Sequence, residues 1–412
     1  MPRAGSAGSA GSGGPGGAGA AGGSGGGMGV VESLPGPIVA LRQYEDQKTE
    51  VEQEMLRDIG TLMTARGRGW FRRTPTLTVS GEGRGSFVFV ADKAAERDRV
   101  KSATEPAVYY KFISGTRDET GERVRMQRTW FAYYEPVGLG PYDLRPAAPP
   151  KGVVVLLPGL FGTPVSPVNQ VVHAFRDRGW AVLRMLAHSS RFTEEATWVL
   201  GDDGDIEPLA ESIAQELGDR AAECAYAVED VLAAAARDRP ALAGLPRFAV
   251  GMSGGAMVLP TVVARDPGAW SGAVMIAGGA DFLSVALRSN YTSWINALRF
   301  RRSDGAPLTP EQQDRLVAAY RERAPLDSLY TIDALAGKPV LMLHASGDQA
   351  VPADLGDLLW DRAGRPERWV FQTGHELIFL ALPLHVGRMV AWVEEASATH
   401  DSSAPAAAEA RP

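Results

Sequence analysis

A single cysteine, Cys224, occurs in 412 residues, so no disulfide can form within the chain. It lies in an Ala-rich helical stretch, where a small apolar side chain is expected to be buried. Histidine is scarce as well, with six residues, and no Cys or His cluster has zinc spacing. His375-Glu376-Leu377-Ile378-Phe379 breaks the H-E-x-x-H pattern at its last position, and Gly81-Glu82-Gly83-Arg84-Gly85 opens no helix, so neither a metal nor a nucleotide cofactor is implied. Positive charge is never gathered into a block, and 42 Lys and Arg against 49 Asp and Glu leave a net charge of −7. A nucleic-acid-binding surface or an anionic-membrane patch is therefore not expected. No window holds 18 consecutive apolar residues, and the N-terminus lacks a charged-then-apolar leader. The expectation is no transmembrane segment and a cytoplasmic location, with the oligomeric state left open.

What is present divides the chain by composition. Residues 1–33 are rich in Gly, Ala and Ser, can bury almost nothing and are expected to form a disordered tail. Over residues 34–66, Ile38, Leu41, Val51, Met55, Ile59 and Leu62 mostly recur at helical spacing among charges, which predicts an amphipathic helix. Residues 67–396 are read as one domain. Its first part holds short β-rich runs at 86–90, 107–113 and 124–134, an antiparallel meander. After the Pro-rich 146–150, apolar runs at 152–157, 180–186, 247–250, 272–276, 339–344 and 368–371 alternate with helical segments. Val153-Val154-Val155-Leu156-Leu157 does not alternate, which fits a parallel strand covered by helices on both faces. The insertion at 282–335 is read as a small helical cap, and residues 397–412 as a second disordered tail.

The chemistry lies where three of these strands end. Gly251-Met252-Ser253-Gly254-Gly255 matches G-x-S-x-G between a strand and an apolar helix, the turn that projects a serine hydroxyl above a sheet. Gly22-Gly23-Ser24-Gly25-Gly26 matches the same pattern inside the tail, so context decides. Asp348 follows one strand and His375 another, giving the order Ser, Asp, His at the carboxyl end of the sheet. Serine is a poor nucleophile until a base takes its proton, and the base needs an acid to hold its tautomer. Asp281, after an earlier strand, is the competing acid, whereas His173, His188, His344 and His385 are read as core or surface residues. The oxyanion of a tetrahedral intermediate needs donors, and the backbone N–H groups of Gly254 and Leu160 are the first choices, with Phe161 the alternative to Leu160. Phe161, Met252, Trp294 and Phe300 are expected to line the substrate pocket.

On the loop at Pro158-Gly159, the turn at Ser253, the segment Gly347-Asp348-Gln349-Ala350-Val351-Pro352 and Gly374-His375, residues 107–396 resemble the α/β-hydrolase superfamily. The resemblance implies an α/β architecture: a mostly parallel eight-stranded sheet with helices on both faces, N-terminal antiparallel strands and a small cap. It also implies a catalytic triad of Ser253, Asp348 and His375. Many members carry histidine where this chain has Pro158. The expected activity is a metal-independent serine hydrolase, of the carboxylesterase type, cleaving a small-molecule ester, thioester or amide through an acyl-enzyme. An acyltransferase using the same three residues and a catalytically silent binding protein are the alternatives.

Overall fold

The computed structural model describes residues 36–41 except 38, 79–80, 87–92, 106–117, 124–137, 149–160, 165–188, 194–201, 206–293 and 298–403. The tail at 1–33 and most of the helix expected over 34–66 lie outside the described residues. Of that helix, residues 37 and 39–41 are helical, and Ala40 and Leu41 are buried in the core.

The meander comprises β1 (Val79–Ser80), β2 (Phe87–Asp92), β3 (Val108–Arg117) and β4 (Val124–Tyr134). There follow β5 (Val153–Leu157), α1 (Val165–Asp177), β6 (Ala181–Ala187), β7 (Ala196–Leu200), α2 (Ile206–Asp238), β8 (Arg247–Met252), α3 (Gly254–Arg265), β9 (Gly272–Ile276), α4 (Phe282–Arg288), β10 (Leu298–Arg302), α5 (Pro310–Arg321), α6 (Ser328–Thr331), β11 (Val340–Ala345), α7 (Ala353–Arg362), β12 (Glu367–Phe371) and α8 (His375–Ser403). Among the described residues, ten strands form one sheet in the order β1-β2-β3-β4-β6-β5-β8-β9-β11-β12. The run from β6 to β12 is parallel throughout, and β4 joins it antiparallel with a register shift between Trp130 and Phe131. The expected eight strands are those from β3 to β12 in this order, and the β1–β2 hairpin extends them.

Alternation along each strand feeds two separate cores. Val153, Val155 and Leu157 of β5 face one layer with Ala249 of β8 and Ala273 and Met275 of β9. Val154 and Leu156 face the other with Phe248, Val250 and Met252 of β8 and Val274 and Ile276 of β9. Helices α2 and α3 supply the first layer, and α1 and α8 the second. The inner strands β5, β8 and β9 are thus apolar on both faces because both faces are covered, the physical reason their sequences do not alternate. All six parallel strands bring their carboxyl ends to one edge, and the loops that carry the chemistry meet there.

Two expectations need correction, and one feature of the last helix adds to the sequence reading. The cap between β9 and β11 is not wholly helical, since β10 pairs in parallel with β7, Leu298 opposite Ala196 through Arg302 opposite Leu200. Leu298-Arg299-Phe300-Arg301-Arg302 alternates apolar residues with Arg and alternates in burial, which is the period of a strand. Helix α5 of the cap is capped by Thr309 through a reciprocal capping box with Gln312. The second tail starts later than residue 397, because α8 continues to Ser403 with Ser397 buried. Finally, the stretch His375–Thr399 of α8 is long and apolar enough to cross a membrane by length and composition. Its Ile378, Phe379, Leu382, Val386, Met389, Val390 and Val393 recur at helical spacing and pack into the second core, while Leu377, Leu380 and Leu384 of the same helix are exposed, so one face covers the sheet and part of the apolar stretch is open.

Candidate active site

Strand β8 ends in a turn that leaves Ser253 at φ 52°, ψ −119°, a backbone conformation that costs a non-glycine residue on the order of 1–3 kcal/mol. The surroundings fix it. The Ser253 N–H donates to the Ile276 carbonyl at 2.8 Å, and its own carbonyl accepts from Ala256 at 2.8 Å and Met257 at 3.0 Å as α3 begins. Two glycines make the approach sterically feasible: a Cβ on Gly251 would lie 2.6 Å from the Ala256 Cα, and one on Gly255 would lie 2.4 Å from the Leu157 carbonyl oxygen.

Two strands away in the sheet, β11 ends and the next loop carries Asp348. Its Oδ1 accepts from the N–H groups of Ala350 and Val351, both at 2.9 Å, and its Oδ2 lies 2.6 Å from His375 Nδ1. His375 opens α8 after β12, and its Nε2 lies 2.9 Å from Ser253 Oγ. Both Asp348 and His375 are buried. Ser253, His375 and Asp348 therefore form one hydrogen-bonded chain. Because the Asp348 carboxylate only accepts, the Nδ1 of a neutral His375 carries the ring proton and its Nε2 is free to accept one from the serine. The ring is held edge-on by Phe379, at 5.2 Å between centroids, and by Tyr291 of the cap, at 5.8 Å. The Tyr291 hydroxyl donates to Glu376; burial and that bond push the phenol pKa up, and the same bond holds the Glu376 carboxyl below its ordinary value.

The loop after β5 lies against this turn. A Cβ on Gly254 would fall 3.1 Å from the Leu160 backbone nitrogen, and one on Gly255 would fall 2.5 Å from the Pro158 carbonyl oxygen. The Leu160 and Gly254 amides, the two expected donors, are thus adjacent, and Gly254 sits in the first turn of α3, whose N–H groups have no partner inside the helix. Phe161 lies outside the described residues.

The competing acid is occupied elsewhere. Asp281 is fully buried, accepts from the Ser284 N–H at 3.0 Å and hydroxyl at 2.7 Å, and pairs with Arg321 of α5 at 2.7 Å. Of the expected pocket residues, Met252 is fully buried in the second core, because strand alternation turns it to the same face as Val250. Phe300 stacks on Trp198 across the β10–β7 pair, centroids 5.3 Å apart with planes 8° from parallel, and Trp294 lies outside the described residues. Among the described residues of the cap, Tyr291 is in contact with His375. Among the described residues, no three Cys, His, Asp or Glu side chains converge as a metal-binding group. His188, read from the sequence as a core or surface residue, is buried just after β6, with Nε2 2.7 Å from the Pro158 carbonyl oxygen.

No family model matches the chain, and no curated protein matches it. Solved structures are similar in fold. Est1E from Butyrivibrio proteoclasticus is 13% identical, with 69% of this chain and 99% of that one covered and a TM-score of 0.42. TT1662 from Thermus thermophilus is 20% identical, with 69% and 98% covered and a TM-score of 0.39. A puromycin-hydrolyzing peptidase of Mycobacterium tuberculosis is 16% identical, with 73% and 40% covered and a TM-score of 0.44. The roles of the residues rest on this chain's own geometry. That geometry, six parallel strands after an antiparallel meander with a strained serine at the end of β8, gives the chain the α/β-hydrolase fold.

Proposed function

We propose that the protein is a serine hydrolase that cleaves a carboxylic ester, thioester or amide through an acyl-enzyme, with Ser253 as nucleophile, His375 as general base and acid, and Asp348 as the orienting acid. The observation that carries this reading is the continuous hydrogen-bonded chain from Ser253 Oγ through the imidazole to the Asp348 carboxylate, with distances of 2.9 and 2.6 Å. In the first half-reaction His375 Nε2 takes the hydroxyl proton as Oγ attacks the substrate carbonyl. Asp348, held by two backbone N–H groups, stabilises the imidazolium without taking its proton. Negative charge then develops on the former carbonyl oxygen, where the N–H groups of Gly254 and Leu160 donate; removal of one such donor costs roughly 3–4 kcal/mol of barrier in hydrolases of this kind. The imidazolium returns its proton to the departing alcohol, thiol or amine as that bond breaks. Water repeats the sequence on the acyl-enzyme and releases the acid. Tyr291 holds one edge of the imidazole under the cap, which supports a small-molecule substrate admitted beside it.

A fluorophosphonate probe followed by a panel of acyl esters tests the reading. Wild type is expected to be labelled at Ser253 and to turn over at least one ester, and Ser253→Ala to lose both while retaining its melting temperature. Labelling that persists in Ser253→Ala would move the nucleophile elsewhere. A folded wild type that is neither labelled nor active would remove the hydrolase assignment.

A further inference from the structure

The loop that supplies the Leu160 amide has no histidine of its own before the glycine, yet an imidazole reaches it from the neighbouring strand. Strands β5 and β6 are adjacent and parallel, so Pro158, just after β5, and His188, just after β6, meet at the same edge. The Pro158 carbonyl oxygen is confined on one side by Gly255, where a Cβ would come within 2.5 Å of it, and on another by His188 Nε2 at 2.7 Å. On the far side of the ring, Nδ1 lies 3.4 Å from the Cys224 sulfur of α2. Both His188 and Cys224 are buried.

The hydrogen placement follows from the acceptors. A carbonyl oxygen has no proton to give, so Nε2 is the donor and the tautomer is fixed. Burial pulls the His188 pKa down to about 4, opposed by the bond to Pro158, so near neutral pH the ring carries that one N–H. Nδ1 is then an acceptor, and Cys224 meets it as a thiol donating S–H rather than as a thiolate. The relay runs from the Cys224 S–H to His188 Nδ1, and from His188 Nε2–H to the Pro158 carbonyl.

We propose that His188, oriented by Cys224, is a positioning residue that fixes the Pro158–Gly159 peptide and thereby aims the Leu160 N–H at the oxyanion. The proposal rests on the serine-hydrolase reading. Gly159, between the pinned carbonyl and the Leu160 amide, has no Cβ to restrict its dihedrals, so its conformation is set by what holds the two ends: His188 on the Pro158 carbonyl and the packing of the Leu160 backbone against Gly254. A free carbonyl there permits the peptide to rotate and the donor to point away. The tether touches neither substrate nor nucleophile, and it acts on the transition state because the oxyanion exists only there.

The test compares His188→Leu, His188→Gln and Cys224→Ala with wild type, all measured well below their melting temperatures. His188→Leu removes the donor and is expected to lower kcat roughly 10- to 100-fold, less than the 10²- to 10³-fold that follows outright removal of an oxyanion donor, with KM nearly unchanged. Affinity for a boronic acid whose adduct mimics the oxyanion is expected to fall by a similar factor. His188→Gln keeps an N–H donor and is expected to recover most of the kcat, which a role confined to packing would not produce. Cys224→Ala, which leaves the ring in place, is expected to lower kcat severalfold. If His188→Leu does not fold, the remaining two variants decide, and wild-type kcat in Cys224→Ala together with wild-type boronate affinity overturns the proposal. Amide hydrogen exchange at Leu160 separates this result from the fate of the hydrolase reading: exchange that stays as slow in the folded variants as in wild type overturns the tether even if no substrate is ever found, whereas faster exchange in an inactive protein upholds the tether and removes only the hydrolase reading.

Discussion

Replacing Asp348 with Asn changes one atom and reverses the direction of the proton relay. Asp348 Oδ1 is committed to two N–H donors, Ala350 and Val351, both at 2.9 Å. An asparagine must keep its carbonyl oxygen there, because its NH2 group cannot accept from those amides. The NH2 therefore takes the place of Oδ2, 2.6 Å from His375 Nδ1 in the native chain, and presents a hydrogen where a lone pair stood. The imidazole answers by giving up its Nδ1 proton and carrying one on Nε2, which then points a hydrogen at Ser253 Oγ instead of a lone pair. Loss of the working tautomer in this type of triad lowers kcat by about 10⁴, or about 5 kcal/mol of barrier. Asp281→Asn makes the contrast, since its carboxylate is engaged with Ser284 and Arg321; stability is expected to fall while kcat stays within a few-fold of wild type. Both variants are to be assayed on the best ester of the panel, with melting temperature as the control for folding. A folded Asp348→Asn that retains more than a tenth of the wild-type kcat, or an Asp281→Asn that loses 10³-fold or more, would refute the reasoning.

Phe300→Ala removes a ring stacked on Trp198, an arrangement worth about 0.5–1.5 kcal/mol beyond area burial. It is expected to lower the melting temperature while leaving the ratio of kcat/KM for long and short acyl esters unchanged, and a shifted ratio would return Phe300 to the substrate pocket. Asp327 is buried and its pKa is raised from 3.8 to about 6, by desolvation first and the charge of Asp281 second. A carboxyl whose folded pKa exceeds its unfolded value stabilises fully below the unfolded value and loses that contribution as pH rises through the folded one. The shift corresponds to a difference on the order of 3 kcal/mol. Denaturant titrations of wild type and Asp327→Asn should therefore show the wild-type advantage shrinking between pH 4 and 6, and an advantage that is flat or grows with pH would contradict the assignment.

The parallel strands were legible because burial on both faces leaves uninterrupted apolar runs: 272–276 was read as a strand and β9 is Gly272–Ile276. The order Ser, Asp, His along the chain was legible for a related reason, since Ser253 and Asp348 each follow such a run at its carboxyl end and His375 follows the short edge strand β12. Strand β10 was misread because its five residues sit inside a segment taken as helical, and its partner β7 is about a hundred residues away. The extent of α8 was missed because Ala-Ser-Ala-Thr after residue 395 looks like low complexity, although packing of Val390 and Val393 continues the helix into it. His188 carried no local signal at all. Its meaning comes from β6 lying beside β5, a relation fixed by sheet order rather than by any spacing in the sequence.

Asp281 illustrates how position and role separate. It follows β9, which lies in the sheet between β8, bearing Ser253, and β11, bearing Asp348. An acid there is plausible from the chain alone, and the structure gives that position a different task. Asp327 accepts from the N–H groups of Asp281, Phe282 and Leu329 and from the Tyr320 hydroxyl, while Asp281 accepts from Ser284 and Arg321. Their donors come from the end of β9, from α4, from α5 and from α6, so two buried carboxylates tie the root of the cap together. Each is costly to bury and is offset by several directed donors rather than by a single ion pair. The consequence for the site is geometric. The cap rises from between the strands that bear the serine and the acid, is fixed at that root, and brings Tyr291 against His375. In the proposed hydrolase, the cap residues beyond the root can then vary while the strained turn, the imidazole and the Asp348 carboxylate stay in register on the sheet.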